Sequence, residues 1–270
     1  LTMGRGESDI VADLSHITPQ SLSIPDHVEY FVHIAGKAHS IPKTAQEAEV
    51  FHTINAKATS QLLESMPSSI KGVVFISSVS VYGVEIGEEI SESHPLKGET
   101  PYAKSKIQAE KIVLDWGKAR NVPVLILRLP LIVGKNPPGN LGKMIEAIRR
   151  RRYFNINKGS AKRSMVLASD VAEFIHQKLG TQGVYNLTDG HHPTFSEIEG
   201  LVSGQLGKLK PKSISKFSAK LLGKVGDLIP LFPVNSNIIH KMTHDLTFDD
   251  SKARKELNWD PKRVIDYFKI

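Results

Sequence analysis

The chain has 270 residues, 40% apolar and 23% charged, which suits a globular protein and excludes collagen-like and disordered classes. It has no cysteine, so disulfides, thiolate catalysis and cysteine-ligated zinc are excluded, and a reducing compartment fits. A formal net charge of +7 suits either solubility or an anionic small-molecule ligand.

The first half alternates apolar runs with amphipathic stretches. YFVHI at 30–34, GVVFI at 72–76 and VPVLILRL at 122–129 read as strands buried on both faces. Between them, 44–66 carries few helix breakers and ends before Pro67. Ala109, Ile112, Val113 and Trp116 share one helical face, as do Leu141, Met144, Ile145 and Ile148. Strand–helix alternation predicts an α/β fold, a doubly wound parallel sheet with crossover helices and a small C-terminal substrate lobe. The KNPPGN loop after Gly134 marks the change, giving a nucleotide-binding domain over 1–134 and a substrate lobe over 135–270, with strands free to return to the sheet. Further strands are expected at 153–157, within SMVLAS and at 184–187, and a helix at 170–179. From about 190 the chain reads as helical and lysine-rich.

Arg149, Arg150, Arg151 and Arg152 resemble a nucleic-acid patch but end a periodic helix, where cations complement the dipole; no nucleic-acid partner is expected. The greasiest late run, 221–234, is broken by Lys224, Asp227, Pro230 and Pro233, so no membrane span is expected. LTMGRGESDI has no apolar leader, and the location expected is cytoplasmic. His191 and His192 precede Pro193 in a turn and lack metal-ligand spacing, so no metal site is expected.

The chemistry lies in a constellation. Ser78 follows a buried strand in VVFISSVSVYG, and Tyr102 and Lys106 follow in PYAKSKIQAEK, four residues apart on one helical face behind Pro101. A free tyrosine titrates near 10, and a nearby ammonium lowers that value, so a Tyr–Lys pair exchanges a proton with a hydroxyl or ketone. Ser78 would hold the same oxygen. The partner hydride needs a nicotinamide, since no side chain accepts one. A Tyr-x-x-x-Lys pair alone is usually a surface pair; strand, Ser-Ser-x-x-Val-Tyr-Gly, Pro-Tyr-x-x-x-Lys helix and strand together are far more specific.

These segments, with LILRLPLIVG, resemble the extended short-chain dehydrogenases/reductases, the family of UDP-galactose 4-epimerase. The resemblance covers nearly the whole chain. It implies an NAD(P)-dependent enzyme acting on a nucleotide-activated sugar, with Tyr102 as general acid/base, Lys106 tuning it and holding the cofactor, and Ser78 orienting substrate. FVHIAGKAH resembles the strand and loop lining the cofactor, placing Ala35, Gly36 and Ala38 there; VADL places Asp13 and Leu14 near adenine. INAKAT places Asn55 behind the active site, with Ala58 where a glycine is usual. Ser80, Asn140 in PPGNL and Arg163 in RSMVLASDVAEFI are implied substrate contacts. His33 and Asn55 serve equally as satisfied core polar groups, and Arg163 as an ion-pair partner. A homodimer through 103–116 follows by analogy.

The sequence departs from the pattern in four further places. No Gly-x-x-Gly-x-x-Gly phosphate loop is found; LTMGRG resembles the end of the second strand, so roughly 30 to 40 residues, one βαβ unit, are expected ahead of it. Where NAD-preferring relatives carry an acid, Met3-Gly4-Arg5 stands, and Arg5 would meet a 2′-phosphate, a lean toward NADP. Val79 and Ser80 replace the Asp-Glu of 4,6-dehydratases, and Leu131 replaces a substrate-binding Asn of the 4-epimerase. A 4-ketoreductase or a 4-epimerase of surface-polysaccharide sugar synthesis is the reading. The alternative is a non-catalytic NAD(P)-sensing relative, which retention of Tyr102 and Lys106 weighs against.

Overall fold

The computed structural model describes residues 1–38, 40–228 and 235–270. His39 and the part of the greasy run at 229–234 lie outside the described residues. The chain forms two compact units: Leu1–Val84, Glu92–Leu129 and Glu173–Asn186 make the first, and Glu85–Ser91, Pro130–Ala172 and Leu187–Ile270 the second.

In chain order, the strands Met3–Gly4 (β1), Ile10–Val11 (β2) and Tyr30–His33 (β3) precede the helices Ala45–His52 (α1) and Ala58–Glu64 (α2). Gly72–Ser78 (β4), Gly87–Ile90 (β5), Pro101–Arg120 (α3) and Val124–Leu129 (β6) follow. Next come Leu131–Val133 (β7), Gly139–Arg149 (α4), Phe154–Ile156 (β8), Met165–Leu167 (β9), Ala168–Gln177 (α5) and Gly183–Asn186 (β10). The chain closes with Phe195–Gln205 (α6), Lys212–Ile214 (β11), Lys216–Leu228 (α7), Ser236–Thr243 (α8), Leu246–Phe248 (β12), Ser251–Leu257 (α9) and Val264–Tyr267 (α10).

The first unit is built on a four-stranded sheet in the order β10-β6-β4-β3, every pair parallel. Parallel neighbours need crossovers: α1 and α2 join β3 to β4, α3 joins β4 to β6, and the chain returns to β10 by way of α5. Side chains alternate faces along β4 and β6, yet Val73, Val74, Phe75, Leu125, Ile126 and Leu127 are all buried, so both faces are covered. On one face Val73, Phe75, Val124 and Ile126 pack with Leu63 of α2, with Met66 just beyond it and with Ala109 and Val113 of α3. Thr44 caps α1, its hydroxyl accepting from Glu47 N at 3.1 Å. The run expected as one helix over 44–66 is interrupted by a π-turn at Thr53–Lys57. Such turns inside α-helices are rare and frequent at functional sites, and this one carries the buried Asn55.

Thr100 caps α3 and Pro101 opens it. Two turns below Tyr102, Glu110 meets Arg128 of β6 in a buried two-pronged pair, Nη2 to Oε2 at 2.7 Å and Nε to Oε1 at 3.1 Å. Ser77 Oγ donates to the same carboxylate at 2.5 Å. Arg128 Nη1 donates to the Tyr82 hydroxyl at 3.2 Å, which donates to Asn186 Oδ1 at 2.7 Å. This network ties α3 to β4, β6 and β10 beneath the sheet's carboxyl end.

The second unit holds three short parallel pairs, β7 with β9, β8 with β11 and β5 with β12. Its core joins Leu141, Met144, Ile145 and Ile148 of α4 to Met165, Leu167, Ile198, Val202, Val264 and Phe268. The late region read as helical also contributes β11 and β12, because both complete partners laid down far earlier in the chain. Arg149 closes α4, and Glu146 pairs with Arg149 and Arg150 at 2.6 and 2.5 Å.

Removing one partner of a buried ion pair leaves the other charge without compensation. Arg128→Met is therefore expected to cost about 3–5 kcal/mol in urea unfolding, and the double variant Arg128→Met/Glu110→Leu distinctly less. Equal costs for the two would show that the pair does not carry this load.

Candidate active site

The site grows from the carboxyl end of β4, where open parallel sheets receive ligands. Ser78 ends that strand and caps the following 3₁₀ turn, its Oγ accepting from Ser80 N at 3.2 Å. The Ser78 hydroxyl also acts on the Tyr102 phenol, pulling its pKa down. Burial of Tyr102 is the larger effect and pushes its pKa up. The lowering expected from Lys106 is not found: burial and Ser78 are the influences on the phenol, and with its pKa raised it keeps its proton at neutral pH. One turn on, Lys106 is buried, with Nζ donating to Ile76 O at 2.8 Å and 4.6 Å above the Phe75 ring. Burial lowers its pKa to about 8, against the pull of Glu110.

Asn55, on the π-turn, brackets the Lys37 peptide: Oδ1 accepts from Lys37 N at 2.7 Å and Nδ2 donates to Lys37 O at 3.0 Å. The same Nδ2 donates to Ser105 Oγ at 2.9 Å, which donates to Tyr102 O at 2.8 Å. Thr59 Oγ1 donates to Asn55 O at 2.7 Å and so must accept from His33 Nε2 at 2.9 Å, which fixes His33 as the Nε2–H tautomer. Burial first, and the Lys106 charge second, lower the His33 pKa to about 3, so this ring stays neutral. A Cβ on Gly36 would stand 2.8 Å from Asn55 Oδ1 and 3.6 Å from Lys106 Nζ. Only glycine lets the β3 loop pass so close.

A cavity of about 900 Å³ in this unit is lined by Arg5, Asp13, Leu14, Ala35, Gly36 and Ala38, all six expected from the sequence, together with His33 and Met3. Asp13 Oδ1 accepts from Ser15 N at 2.9 Å and from Ser15 Oγ, which hold its carboxyl below the usual range; the Arg5 charge adds to this. Apolar walls, an exposed Arg5 and Asp13, and Gly36 beside Lys106 fit a dinucleotide. Ser80 Oγ is buried beside Ser78 without a hydrogen-bond partner.

Asn140 and Arg163 belong to the second unit. Asn140 is exposed in the first turn of α4. Arg163 is half-buried; its guanidinium donates to Lys162 O and His244 O at 2.7 Å and to Lys241 O, and lies over the Phe195 ring at 5.3 Å. Among the described residues, no group of three or more His, Cys, Asp or Glu side chains gathers to hold a metal ion.

Sequence reasoning missed Lys37, Ser105, Glu110 and Arg128. Two of them carried a signal: Arg128 is a charge inside an apolar strand, and Glu110 lies four residues beyond Lys106 on the same face.

The model of the NAD dependent epimerase/dehydratase family matches residues 12–187. The chain belongs to that family. It is 28% identical over 181 residues to the N-acetylglucosaminyl-diphospho-undecaprenol 4-epimerase of Escherichia coli O157:H7, covering 64% of this chain and 54% of that protein. It is 25% identical over 251 residues to the UDP-glucose 4-epimerase of Vibrio cholerae, covering 87% of this chain and 72% of the relative. The chain thus spans about half the length of the first relative. In fold it is similar to MoeE5 in complex with UDP-glucose and NAD, with a TM-score of 0.71 and 18% identity over 97% of this chain and 84% of the other. The fold is the α/β arrangement of parallel strands and crossover helices that the sequence predicts.

In this NAD-dependent family, Gly36→Ala is expected to displace Asn55 and raise the dinucleotide Kd about tenfold or more, measured by calorimetric titration of the full-length protein. An unchanged Kd would remove Gly36 from the cofactor site.

Proposed function

We propose that this protein exchanges hydride and proton at C4 of a sugar carried on a nucleoside diphosphate, as a 4-epimerase or a 4-ketoreductase. The observation that carries the reading is a buried Lys106 one helical turn beyond Tyr102 and beside Gly36 of the cavity wall, with Ser78 ending the strand ahead of them. A bound nicotinamide dinucleotide supplies a reversible hydride acceptor. Arg5, Asp13, Leu14, Ala35, Gly36, Ala38 and Lys106 would hold it, and Asn55 shapes the wall behind. Arg5 favours NADP, because its exposed guanidinium suits a 2′-phosphate.

Tyr102 gives its proton to the sugar O4 when a ketone is reduced and takes it back when the alcohol is oxidised. Its raised pKa suits the donor role. Ser78 orients the same oxygen. Ser80 would gain from a sugar hydroxyl the hydrogen bond it lacks. Asn140 and Arg163 would meet the diphosphate or its nucleoside. Both curated relatives are 4-epimerases whose sugars ride on a diphosphate, which supports chemistry at C4. The competing reading is a dinucleotide sensor that binds but does not turn over; the assembled triad weighs against it.

The test follows UDP-hexoses and UDP-N-acetylhexosamines by proton NMR, with nicotinamide absorbance read in parallel. C4 inversion without net oxidation identifies an epimerase, and stoichiometric oxidation of the reduced cofactor by 4-keto-sugars a reductase. Tyr102→Phe is expected to lower kcat about 10²–10⁴-fold while the dinucleotide still binds. Binding with no turnover of any substrate would favour the sensor.

The Lys106 ammonium is present below its pKa of about 8 and is lost as pH rises through it. Turnover that needs the ammonium therefore falls above about pH 8. Lys106→Arg, whose charge persists to far higher pH, should lower the rate but abolish that alkaline limb. A limb that persists in Lys106→Arg belongs to another group.

A further inference from the structure

The second unit carries a helix whose outer face the function above does not use. On α7, Phe217 is 81% exposed, Leu221 61% and Leu228 82%. Their spacing puts them within one narrow stripe of the helix. Lys216, Lys220 and Lys224 repeat every fourth residue and run along one side of that stripe. The opposite side is anchored, since Ala219 and Gly223 are buried, and Ala219 packs with Ile156 and Ile239. Ahead of the helix, Leu209 is 93% exposed between Lys208 and Lys210.

Residues 206–228 hold six lysines and one acid, a net of +5 within a chain of formal charge +7. That one acid, Asp227, is engaged by Ser236, N at 3.0 Å and Oγ at 2.5 Å. Beneath α7 lies an apolar cavity of about 360 Å³, lined by Ala219, Leu222, Ile239 and Met242, with Lys143 and Arg152 also on its wall. Cations thus border the helix on the α4 side as well.

We propose that α7 is a membrane-surface docking helix that lays its Phe217–Leu221–Leu228 stripe into the headgroup region of an anionic bilayer. The helix is 13 residues long, and no helix among the described residues is long and apolar enough to cross a membrane, so it lies on the surface rather than spanning it. Lysine stems cover apolar surface while their ammonium groups reach the phosphates, so this stripe suits an interface of hydrocarbon and anions. A second copy of the chain is the poorer occupant, because it would bring the same six lysines against these.

The test is flotation of the full-length protein with phosphatidylcholine vesicles, with or without phosphatidylglycerol, beside sedimentation velocity without lipid. The expected result is salt-sensitive binding to the anionic vesicles only. Phe217→Ser/Leu221→Ser should weaken it about tenfold or more, because two exposed apolar anchors are lost. Lys216→Glu/Lys220→Glu/Lys224→Glu should abolish it. Both variants alter exposed side chains and should leave circular dichroism and turnover of soluble nucleotide sugar unchanged, so vesicle binding is read separately from the proposed activity. No binding to either vesicle, or equal binding by wild type and Phe217→Ser/Leu221→Ser, overturns the proposal. So does a wild-type oligomer that Phe217→Ser/Leu221→Ser turns into monomer, because the stripe is then a self-interface.

Discussion

A buried ion pair inside the first unit organises the rest of it. Glu110 is 2% exposed, and an isolated carboxylate there would be strongly disfavoured. It persists because Arg128 approaches with two nitrogens and Ser77 adds a third donor. Those donors lie on β6 and β4, so satisfying Glu110 fixes the rotation of α3 about its own axis. Tyr102, Lys106 and Glu110 recur every four residues, and a helix so rotated presents all three to the sheet. The same carboxylate offsets part of the cost of burying the Lys106 ammonium. Stability and chemistry in this unit share one electrostatic anchor.

Burial acts on neighbouring groups with opposite signs. It raises the Tyr102 phenol and lowers Lys106 and His33, in each case favouring the neutral form. Two of these tendencies are checked by a partner, Ser78 for Tyr102 and Glu110 for Lys106. His33 has no such partner; Lys106 pushes it further the same way, leaving a neutral donor that holds Thr59 and, through it, the Asn55 peptide. A protonated ring would put a second cation beside Lys106, so a neutral His33 is a condition for a charged Lys106.

What the sequence made legible follows from the range of the interactions. β4, β6 and α3 are written in local periodicity, whereas β3, expected to be buried on both faces, stands at the end of its sheet with Tyr30 and Ile34 exposed; Ser78, Tyr102 and Lys106 are read from local spacing. The π-turn in 44–66 was invisible, because its benefit lies in contacts between Asn55 and Lys37 and Ser105, and Ser105 is 50 residues away. The β5–β12 pair was invisible too: Thr247 Oγ1 bonds Glu89 across 158 residues, and neither strand has an apolar alternation long enough to announce itself. Arg128 was the opposite case, a visible anomaly whose partner only the fold identifies.

Arg163 shows how a structural task and a role implied by resemblance can fall on one side chain. A guanidinium has five N–H donors, and here two of its nitrogens already serve the main-chain oxygens of Lys162, Lys241 and His244. The last two flank the turn between α8 and β12, and Arg163 itself bridges to Leu246 in β12. The side chain therefore holds the junction of α8 and β12 whatever else it does. Burial lowers its pKa and Asp245 pulls it back, but a guanidinium stays charged in either case. A diphosphate bound there would meet a cation already oriented by three carbonyls and the Phe195 ring, so little side-chain entropy would be lost on binding. The structural task is compatible with the recognition task that the resemblance implies.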